Sequence, residues 1–385
     1  MTAPVLHSKL PNVGTTIFAV MSQLAAQHGA INLGQGFPDF DGPPLLHEAL
    51  TRAMAAGKNQ YAPMTGVPAL REAIAAKIER CYGATVDAEH EITVTSGATE
   101  ALFCAIAALV APGDEVIVFD PCYDCYAPAI ELQGARVVYV PLTPPAFAID
   151  WNRLRDALSP RTRMIMVNSP HNPTGAMVSR ADLDTLAELI RERPIIVLSD
   201  EVYEHITFDG LPHCSVLAHP ELYRRAVVVS SFGKTWHCTG WKVGYAVAPA
   251  ALSVEFRKVH QYVTFATFTP AQWALAEVLG AMPEHEQQLP AFYQAKRDLF
   301  AQLLAASRLQ LLPVAGAYFQ VADYRAIADI PDAEFCRWLT REGGVAAIPL
   351  SAFYAEPDPD ARLIRFCFAK GDETLRAAAA KLAAL

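Results

Sequence analysis

A lysine in a loop of small polar residues is the first candidate for chemistry in this sequence. Residues 229–244 read VSSFGKTWHCTGWKVG, so Lys234 follows an apolar run and Lys242 comes eight positions later. A lysine in apolar surroundings beside a second cation has a lowered pKa, and its neutral amine is a nucleophile toward a carbonyl carbon. The segment favours Schiff-base chemistry at Lys234. Most lysines in loops are solvated charges, and this segment by itself leaves both interpretations open.

Two further polar loops follow apolar runs. In NSPHNPTG (168–175), Pro173 fixes its own backbone and presents the amide of Asn172 from a rigid turn. In SDEVYE (199–204), Asp200 stands where an apolar run ends, and Tyr203 comes three residues later. A buried carboxylate needs a cationic partner, since burial would otherwise neutralise it, and a protonated ring nitrogen of a ligand would serve.

The segment 96–99, SGAT, favours an anion. It stands between the apolar run EITVT and a helical pattern, and its side chains are all small. A helix start presents free N–H groups and the positive end of a dipole, and small side chains let an anion approach the backbone. Phosphate is the natural ligand, although ordinary strand-to-helix turns also use small residues and are the commoner case.

Cys122 and Cys125 have the spacing of a redox or zinc pair. Eight cysteines in 385 residues are too few for a disulfide scaffold, and several of the others lie inside apolar runs, as reduced core residues do. A zinc site needs further ligands, and the sequence has no second Cys-x-x-Cys. We therefore interpret the pair as structural and predict no metal site.

Seven short apolar runs must position these residues. Because most are apolar at consecutive positions, they are predicted to be strands covered on both faces, as in a mainly parallel sheet. Amphipathic helix patterns alternate with them, and the helix after Ser179 opens with a predicted cap. Ligands of such α/β proteins lie beyond the carboxyl ends of the strands. The runs are 91–95, 115–119, 136–140, 164–168, 195–199, 226–230 and 242–247.

The pattern changes after Ala250 to long helices and then short strands, which predicts a smaller α+β unit. The first 40 or so residues contain one helix and a loop rich in Gly and Pro, have no sheet of their own, and are expected to pack on that unit. The predicted domains are 43–280, and 1–42 together with 281–385. The predicted helices are 250–265, 270–281 and 285–306, and the predicted strands lie near 309–312, 316–321, 345–348 and 362–366.

Taken together, these motifs resemble the class I, fold-type I aminotransferases, which depend on pyridoxal 5'-phosphate. The sequence is especially similar to bacterial methionine aminotransferases and to the kynurenine/glutamine transaminase branch. The resemblance runs from KLPNVGTTIF and NQYAPMTGVPALREAI, through NPTG, SDEVYE and SSFGKTWHCTGWKVGY, to LIRFCFAK. It implies a large, mainly parallel seven-stranded sheet domain flanked by helices, a smaller α+β domain, and a homodimer with shared active sites.

The resemblance assigns five side chains to the cofactor ring. Lys234 would hold the cofactor as an aldimine and carry the proton between the substrate Cα and the cofactor C4′. Asp200 would pair with the pyridine nitrogen, and Asn172 and Tyr203 would bind the ring O3′ oxygen. Tyr123 would stack on the ring, which gives the Cys-Tyr-Asp-Cys segment an interpretation without a metal.

The phosphate of the cofactor would be held mainly by backbone. The resemblance implies N–H groups from Gly97, Ala98 and Thr99, joined by Ser231 and Lys242. Many relatives have arginine at the last position, and Lys242 offers a point charge without the bidentate fork of a guanidinium. Cofactor binding is expected to survive this difference.

The substrate α-carboxylate would be held by Arg365, whose fork suits a carboxylate, with Asn172 and the backbone of Gly36 beside it. Tyr61 would reach the phosphate of the neighbouring subunit. Taken singly, Arg365 is also compatible with a surface ion pair, Tyr61 with a core aromatic, and Asp200 with an ion-pair member. His171 and His237 flank the motifs, and a packing or pocket-wall role is favoured over catalysis for both, because Lys234 already accounts for proton transfer. Ile17, Phe18 and Trp236 are either walls of the side-chain pocket or core residues.

The predicted activity is ping-pong transamination between an apolar or aromatic L-amino acid, methionine favoured, and a 2-oxo acid. A carbon–sulfur β-lyase of the same fold is the alternative enzyme. A cofactor-sensing transcription regulator is disfavoured, because it needs a DNA-binding domain for which the predicted fold leaves no room.

Charge and hydropathy limit the other partners. The net charge is −9 and 52% of residues are hydrophobic, which disfavours disorder and binding to nucleic acid or an anionic membrane. The longest apolar run, 101–111, is shorter than the roughly 20 residues of a membrane helix. The N-terminus lacks the apolar core of a secretory signal. We therefore expect a cytoplasmic protein.

Overall fold

A computed structural model describes residues 7–385, so the first six residues of the predicted small domain lie outside the described part of the chain. The strands of residues 7–385 are β1 (Ile31–Asn32), β2 (Ile92–Thr95), β3 (Glu115–Asp120), β4 (Arg136–Pro141), β5 (Thr162–Asn168), β6 (Ile196–Asp200), β7 (Ala226–Ser231), β8 (Gly244–Val247), β9 (Gln310–Leu311), β10 (Phe319–Asp323), β11 (Val345–Ala346), β12 (Ile348–Pro349) and β13 (Leu363–Cys367).

The α-helices of the same residues are α1 (Ile17–His28), α2 (Pro44–Ala55), α3 (Pro68–Tyr82), α4 (Gly97–Leu109), α5 (Tyr126–Glu131), α6 (Trp151–Ala157), α7 (Arg180–Ile190), α8 (Pro220–Tyr223), α9 (Phe232–Thr235), α10 (Ala250–Val263), α11 (Thr269–Ala281), α12 (His285–Leu304), α13 (Asp332–Arg341) and α14 (Asp372–Ala383). Short 3₁₀ helices cover Val216–Ala218, Thr239–Trp241 and Leu350–Phe353. None of the helices in residues 7–385 has the length and apolar character needed to cross a membrane.

The seven predicted central strands form one sheet in the order β2-β8-β7-β6-β5-β3-β4. Strand β8 is antiparallel to both of its neighbours, and the other pairs are parallel. Two apolar clusters cover the sheet, and β2, β3, β6 and β8 are buried along their whole length. The prediction of a large, mainly parallel seven-stranded sheet is therefore confirmed, and burial on both faces explains the consecutive apolar residues.

The helices between the strands begin where the sequence indicates. Ser179 caps α7, and the side chain of Asp182 accepts a hydrogen bond from the backbone N–H of Ser179 in return, which completes a capping box. Only Ser96 separates the end of β2 at Thr95 from the start of helix α4 at Gly97. These short connections bring polar residues to the carboxyl ends of the strands.

The N-terminal segment joins the C-terminal part of the chain. Strands β12, β13, β10 and β9 form an antiparallel sheet, while β1 pairs in parallel with β11 and α1 packs on α13. The predicted loop after α1 thus contains a short strand at Ile31–Asn32, because its backbone completes a two-stranded ladder with a partner more than 300 residues away. The domain boundaries near residues 42 and 280 stay a prediction.

Candidate active site

One cavity lies beyond the carboxyl ends of β5, β6 and β7, with a volume of about 300 Å³. The last residues of these strands, Asn168, Asp200 and Ser231, all line it. Of the residues predicted to bind the cofactor or the substrate α-carboxylate, Tyr61 alone is missing from the wall that residues 7–385 form. The predicted residues that line it are Gly36, Gly97, Ala98, Thr99, Tyr123, Asn172, Asp200, Tyr203, Ser231, Lys234, Lys242 and Arg365.

Lys234 projects into this cavity from the short helix α9, which follows β7. Its Nζ donates to the carbonyl oxygen of Gly36 at 3.2 Å. Burial lowers the pKa of Lys234 to about 8, and the positive charges of Lys242 and Arg365 act in the same direction, while Cys367 and Asp200 oppose them. A useful fraction of this amine is therefore neutral near physiological pH, as nucleophilic attack on a carbonyl requires.

Asp200 is the buried carboxylate of the site. Its Oδ2 accepts a hydrogen bond from the hydroxyl of Tyr126 at 2.6 Å, and its Oδ1 accepts one from the backbone N–H of Val202 at 3.3 Å. Burial raises the pKa of Asp200 to about 6, although the bond from Tyr126 opposes the shift. A cationic ring nitrogen would restore the ionised form. Tyr126 was not predicted, because its position just after a Cys-x-x-Cys motif carries no sign of a contact 74 residues along the chain.

Two tyrosines connect the lysine to the N-terminal loop. The ring of Tyr203 lies edge-on to that of Tyr318, with centroids 5.1 Å apart, and Lys234 Nζ lies 5.6 Å from the Tyr203 centroid. The hydroxyl of Tyr318 donates to the Gly36 carbonyl oxygen at 2.6 Å. Burial raises the pKa of Tyr203 well above its ordinary value. Tyr318 was not predicted either, since an aromatic residue in an apolar strand pattern is typical of a core.

Arg365 lies in the middle of β13 and is only 1% exposed, so the structure rejects the interpretation as a surface ion pair. Its Nη1 donates to Asn172 Oδ1 at 2.7 Å and its Nη2 to the Gly34 carbonyl oxygen at 3.0 Å. The ring of Phe319 lies 4.0 Å from the guanidinium carbon. Burial lowers the pKa of Arg365 to about 10, so it remains cationic at neutral pH. Its buried Nε has no hydrogen-bond partner among residues 7–385.

The start of α4 and the cation of Lys242 form a cradle suited to an anion. Gly97 has a φ of 78°, and a Cβ added there would lie 3.6 Å from Lys242 Nζ. At Gly244 an added Cβ would lie 2.9 Å from the Ala98 nitrogen and 2.7 Å from the Ser230 carbonyl oxygen. These glycines let β8 approach the free N–H groups of the helix start, which is the geometry expected for phosphate.

Tyr123 lines the same cavity, and its ring lies edge-on to that of Tyr126, with centroids 5.9 Å apart. Both neighbouring thiols, Cys122 and Cys125, are free, and burial raises their pKa above the ordinary range. The groups of described residues with metal-ligand geometry involve other cysteines. Thiols that stay protonated at neutral pH agree with a structural interpretation of the pair.

Tyr61 lies outside the cavity. Its side chain is 83% exposed, with its ring centroid 5.4 Å from that of Phe265, so the structure rejects its interpretation as a core aromatic. Among the predicted wall residues, Phe18 lines the cavity, whereas Trp236 is fully buried and stacks on His285 at 4.2 Å. Trp236 is therefore a core residue, one of the two roles that the sequence left open.

The two histidines near the motifs are in packing environments. His171 is 5% exposed, and its Nδ1 lies 2.7 Å from Thr174 Oγ1. The ring of His237 packs against Phe40, with centroids 4.9 Å apart. Burial lowers the pKa of each histidine to about 4, so both rings are neutral near pH 7.

Comparisons with known proteins agree with this site. The chain is 60% identical to methionine aminotransferase of Escherichia coli, over 98% of this chain and 97% of that protein. It is 35% identical to kynurenine–oxoglutarate transaminase 3 of Mus musculus, over 96% of this chain and 88% of that one. A solved structure of an Escherichia coli protein, described as having a methionine aminotransferase function, has a TM-score of 0.98 at 59% identity, with 100% of both chains covered.

The family model described as aminotransferase class I and II matches residues 28–382, nearly the whole chain. The resemblance inferred from the motifs and the fold-type I architecture are thereby confirmed. The chain belongs to the class I and II aminotransferases.

Proposed function

We propose that this protein uses pyridoxal 5'-phosphate to transfer the amino group of an apolar or aromatic L-amino acid, methionine favoured, to a 2-oxo acid. The observation that carries the proposal is the single cavity in which a lysine with a lowered pKa, a buried carboxylate, an anion cradle and a buried arginine meet. The name of the relative that is 60% identical supports methionine.

The donor set of the cavity fits this cofactor. The cradle of Gly97, Ala98 and Lys242 suits a phosphate, because it offers backbone N–H groups and one cation. Asp200 suits a protonated ring nitrogen, since its own pKa is raised and a cation would compensate. Thr99 and Ser231 complete the phosphate end, and Asn172, Tyr203 and Tyr123 surround the space where the ring would lie.

When bound, the cofactor supplies an electrophilic carbon for amines and a ring that withdraws electrons from the substrate Cα. Lys234 holds or releases a proton at its Nζ, which lets it act in turn as nucleophile, base and acid. The carboxylate of Asp200 would stabilise the positive charge of a protonated ring nitrogen. Arg365, with Asn172 and the backbone of Gly36, orients the α-carboxylate and so presents the Cα to Lys234.

The cavity wall favours an apolar substrate side chain. Besides the groups already assigned, the wall includes four apolar side chains and three uncharged polar ones: Phe18, Leu102, Val202 and Phe319, and Gln35, Asn168 and Thr239. Its cations among residues 7–385 are Lys234, Lys242 and Arg365, each with a role above. An acidic side chain would thus find no further cation in this wall. Since one cavity serves both amino acid and oxo acid, the two would bind in turn, as ping-pong kinetics requires.

We also propose a homodimer in which Tyr61 reaches the partner's site. The support is an exposed aromatic cluster, which a stable single chain would seldom leave in water. The aromatic cluster consists of Tyr61, Tyr262, Phe265 and Phe268, which are 83%, 85%, 47% and 52% exposed. A cytoplasmic location remains a prediction.

Absorbance, trapping and kinetics test the proposed activity. The purified protein should be yellow with bound cofactor, and borohydride should fix the cofactor on Lys234. A panel of amino acids against a panel of 2-oxo acids should give the highest kcat/KM with methionine. A Lys234→Ala protein that transaminates at the wild-type rate would contradict the mechanism. Pyruvate released from a cysteine conjugate without an acceptor oxo acid would favour the β-lyase instead.

A further inference from the structure

A buried charged cluster lies behind the wall of the cavity, and the proposed mechanism does not use it. The carboxylate of Glu204, which is 5% exposed, accepts hydrogen bonds from Lys77 Nζ and from the hydroxyls of Tyr82 and Ser230. The hydroxyl of Tyr245 also donates to it at 3.2 Å. One carboxylate thus binds groups from α3, β7 and β8.

Each strand or turn residue of this cluster is next to a residue of the site. Glu204 directly follows Tyr203, and Ser230 directly precedes Ser231. Tyr245 directly follows Gly244, and the missing Cβ of Gly244 allows β8 to contact the start of α4. Adjacent strand residues point to opposite sides, so a residue can face the cavity while its neighbour faces the cluster.

The cluster is held rigidly by charge. Lys77 is 4% exposed, and its Nζ also donates to the Tyr245 hydroxyl at 3.0 Å. Burial alone would raise the pKa of Glu204, but the charge of Lys77 beside it holds that pKa below the ordinary value. Burial alone would likewise lower the pKa of Lys77, and the charge of Glu204 raises it instead. A buried ion pair is stable only with its hydrogen bonds complete, so few other arrangements are open to it.

We propose that Glu204 is a positioning residue, which sets the separation of Tyr203 and Ser231 in the cavity by binding the neighbouring strand through Ser230. The cross-link between Glu204 and Ser230 depends only on contacts within this chain and needs no cofactor. Its consequence for cofactor affinity rests on the proposed function, through the contacts assigned there to Tyr203 and Ser231.

Ser230→Ala tests the cross-link while leaving the ion pair of Glu204 and Lys77 in place. The matched control is Ser199→Ala. Ser199 is also a buried strand serine, 2% exposed, and its hydroxyl donates to the Glu201 carboxylate at 2.8 Å, but that bond stays within one segment. The two variants remove the same kind of hydrogen bond, but only the bond lost in Ser230→Ala joins two separate segments.

Hydrogen exchange on the full chain without added cofactor gives the first measurement. In Ser230→Ala, amide exchange should become faster by about tenfold both in 201–204 and in 231–234, as expected for one lost hydrogen bond to a charged group. In Ser199→Ala, the second segment should exchange as in the wild type. Equal exchange of 231–234 in the two variants would overturn the cross-link.

Cofactor affinity gives the second measurement. The dissociation constant for pyridoxal 5'-phosphate should rise about tenfold in Ser230→Ala and stay unchanged in Ser199→Ala. The double variant Lys77→Met/Glu204→Leu, which leaves no unpaired charge and no acceptor for the Ser230 hydroxyl, should show the same loss of affinity. Wild-type affinity in both Ser230→Ala and the double variant would overturn the positioning role. If the wild-type chain itself bound no cofactor, the proposed function would fail, and hydrogen exchange would still decide the cross-link.

Discussion

At the scale of single residues, reactivity here follows from burial. Lys234 and Asp200 have opposite charges, yet burial moves the pKa of each toward neutrality, to about 8 and about 6. Desolvation penalises whichever form is charged, so it lowers the pKa of an ammonium and raises that of a carboxylate. Both groups can therefore exchange protons near the pH of a cell.

The first prediction concerns the pH dependence of Lys234. Its reaction with a carbonyl probe such as pyridoxal, trapped by borohydride and located by mass spectrometry, should increase as the pH rises through about 8. The physical reason is that only the neutral amine attacks, and burial makes it available below the ordinary value of 10.5. An apparent pKa near 10 would show that Lys234 is solvated in solution.

The second prediction concerns Asp200 and stability. Its pKa is about 6 in the folded chain against an ordinary 3.8, so the folded chain binds more protons between these values and loses stability as the pH rises through them. The loss of stability that ionised Asp200 causes is complete above about pH 6. Asp200→Asn should therefore raise the free energy of unfolding of the cofactor-free protein at pH 7.5 by about 2–3 kcal/mol.

Chemical denaturation at pH 7.5 and pH 4 checks this prediction. The difference between Asp200→Asn and the wild type should shrink at the lower pH, where the wild-type carboxyl is largely protonated. An equal difference at both pH values would mean that ionisation of Asp200 is not its cause. The same variant should bind the cofactor weakly, because it cannot balance a ring cation.

The third prediction concerns Arg365. Arg365→Lys keeps a positive charge but loses the fork, so KM should rise by about 10- to 100-fold, and alike for every amino acid, since all share the α-carboxylate. Arg362→Lys is the control, because Arg362 lies just before the same strand and pairs with Asp329 at 2.8 Å, away from the cavity lining. Steady-state kinetics with methionine, phenylalanine and alanine would measure it, and a loss confined to one side chain would place Arg365 elsewhere.

At the scale of elements, the anion cradle depends on how closely β8 approaches the start of α4. Gly244→Ala would place a Cβ 2.7 Å from the Ser230 carbonyl oxygen and 2.9 Å from the Ala98 nitrogen, so strand or helix must move. We expect a stability loss of about 1–3 kcal/mol and a strong loss of affinity for pyridoxal 5'-phosphate.

Gly280→Ala is the matched control for this fourth prediction. Gly280 lies within α11, and a Cβ there would meet no atom within 4 Å, so the change should stabilise the chain by about 0.5–1 kcal/mol and leave cofactor affinity unchanged. Thermal unfolding and fluorescence titration measure both quantities. Full affinity in Gly244→Ala would show that the cradle does not bind phosphate.

Apolar sequence patterns predicted the strands of the central sheet but missed the short strand β1. All seven central strands were predicted within two residues of their observed ends, because burial on both faces leaves a continuous apolar run. The small strand β1 was missed. Two residues carry no periodicity, and Ile31–Asn32 becomes a strand only because β11 lies beside it.

At the scale of the whole molecule, the exposed aromatic cluster makes the proposed homodimer testable. Tyr262→Asp, at a side chain that is 85% exposed, should leave the single chain folded but shift sedimentation from dimer to monomer, because it would place a charge in the proposed interface. Cofactor affinity should fall with it, as Tyr61 would no longer reach the neighbouring site. Leu211→Asp, at a side chain that is 47% exposed and lies outside the cluster, should do neither. A dimer that persists in Tyr262→Asp would reject this interface.

The sequence by itself determined the large sheet and the residues at its strand ends, since both follow from local patterns of a few positions. It also determined the family, through motifs that keep their order along the chain. Only the tertiary structure decided which groups contact the site residues and thereby set their hydrogen bonds and pKa values. Tyr126 on Asp200, Tyr318 on Gly36 and Lys77 on Glu204 are contacts between positions 74, 282 and 127 residues apart. Hydrogen bonds and desolvation depend on distance in space, and only the packing of the whole chain fixes that distance.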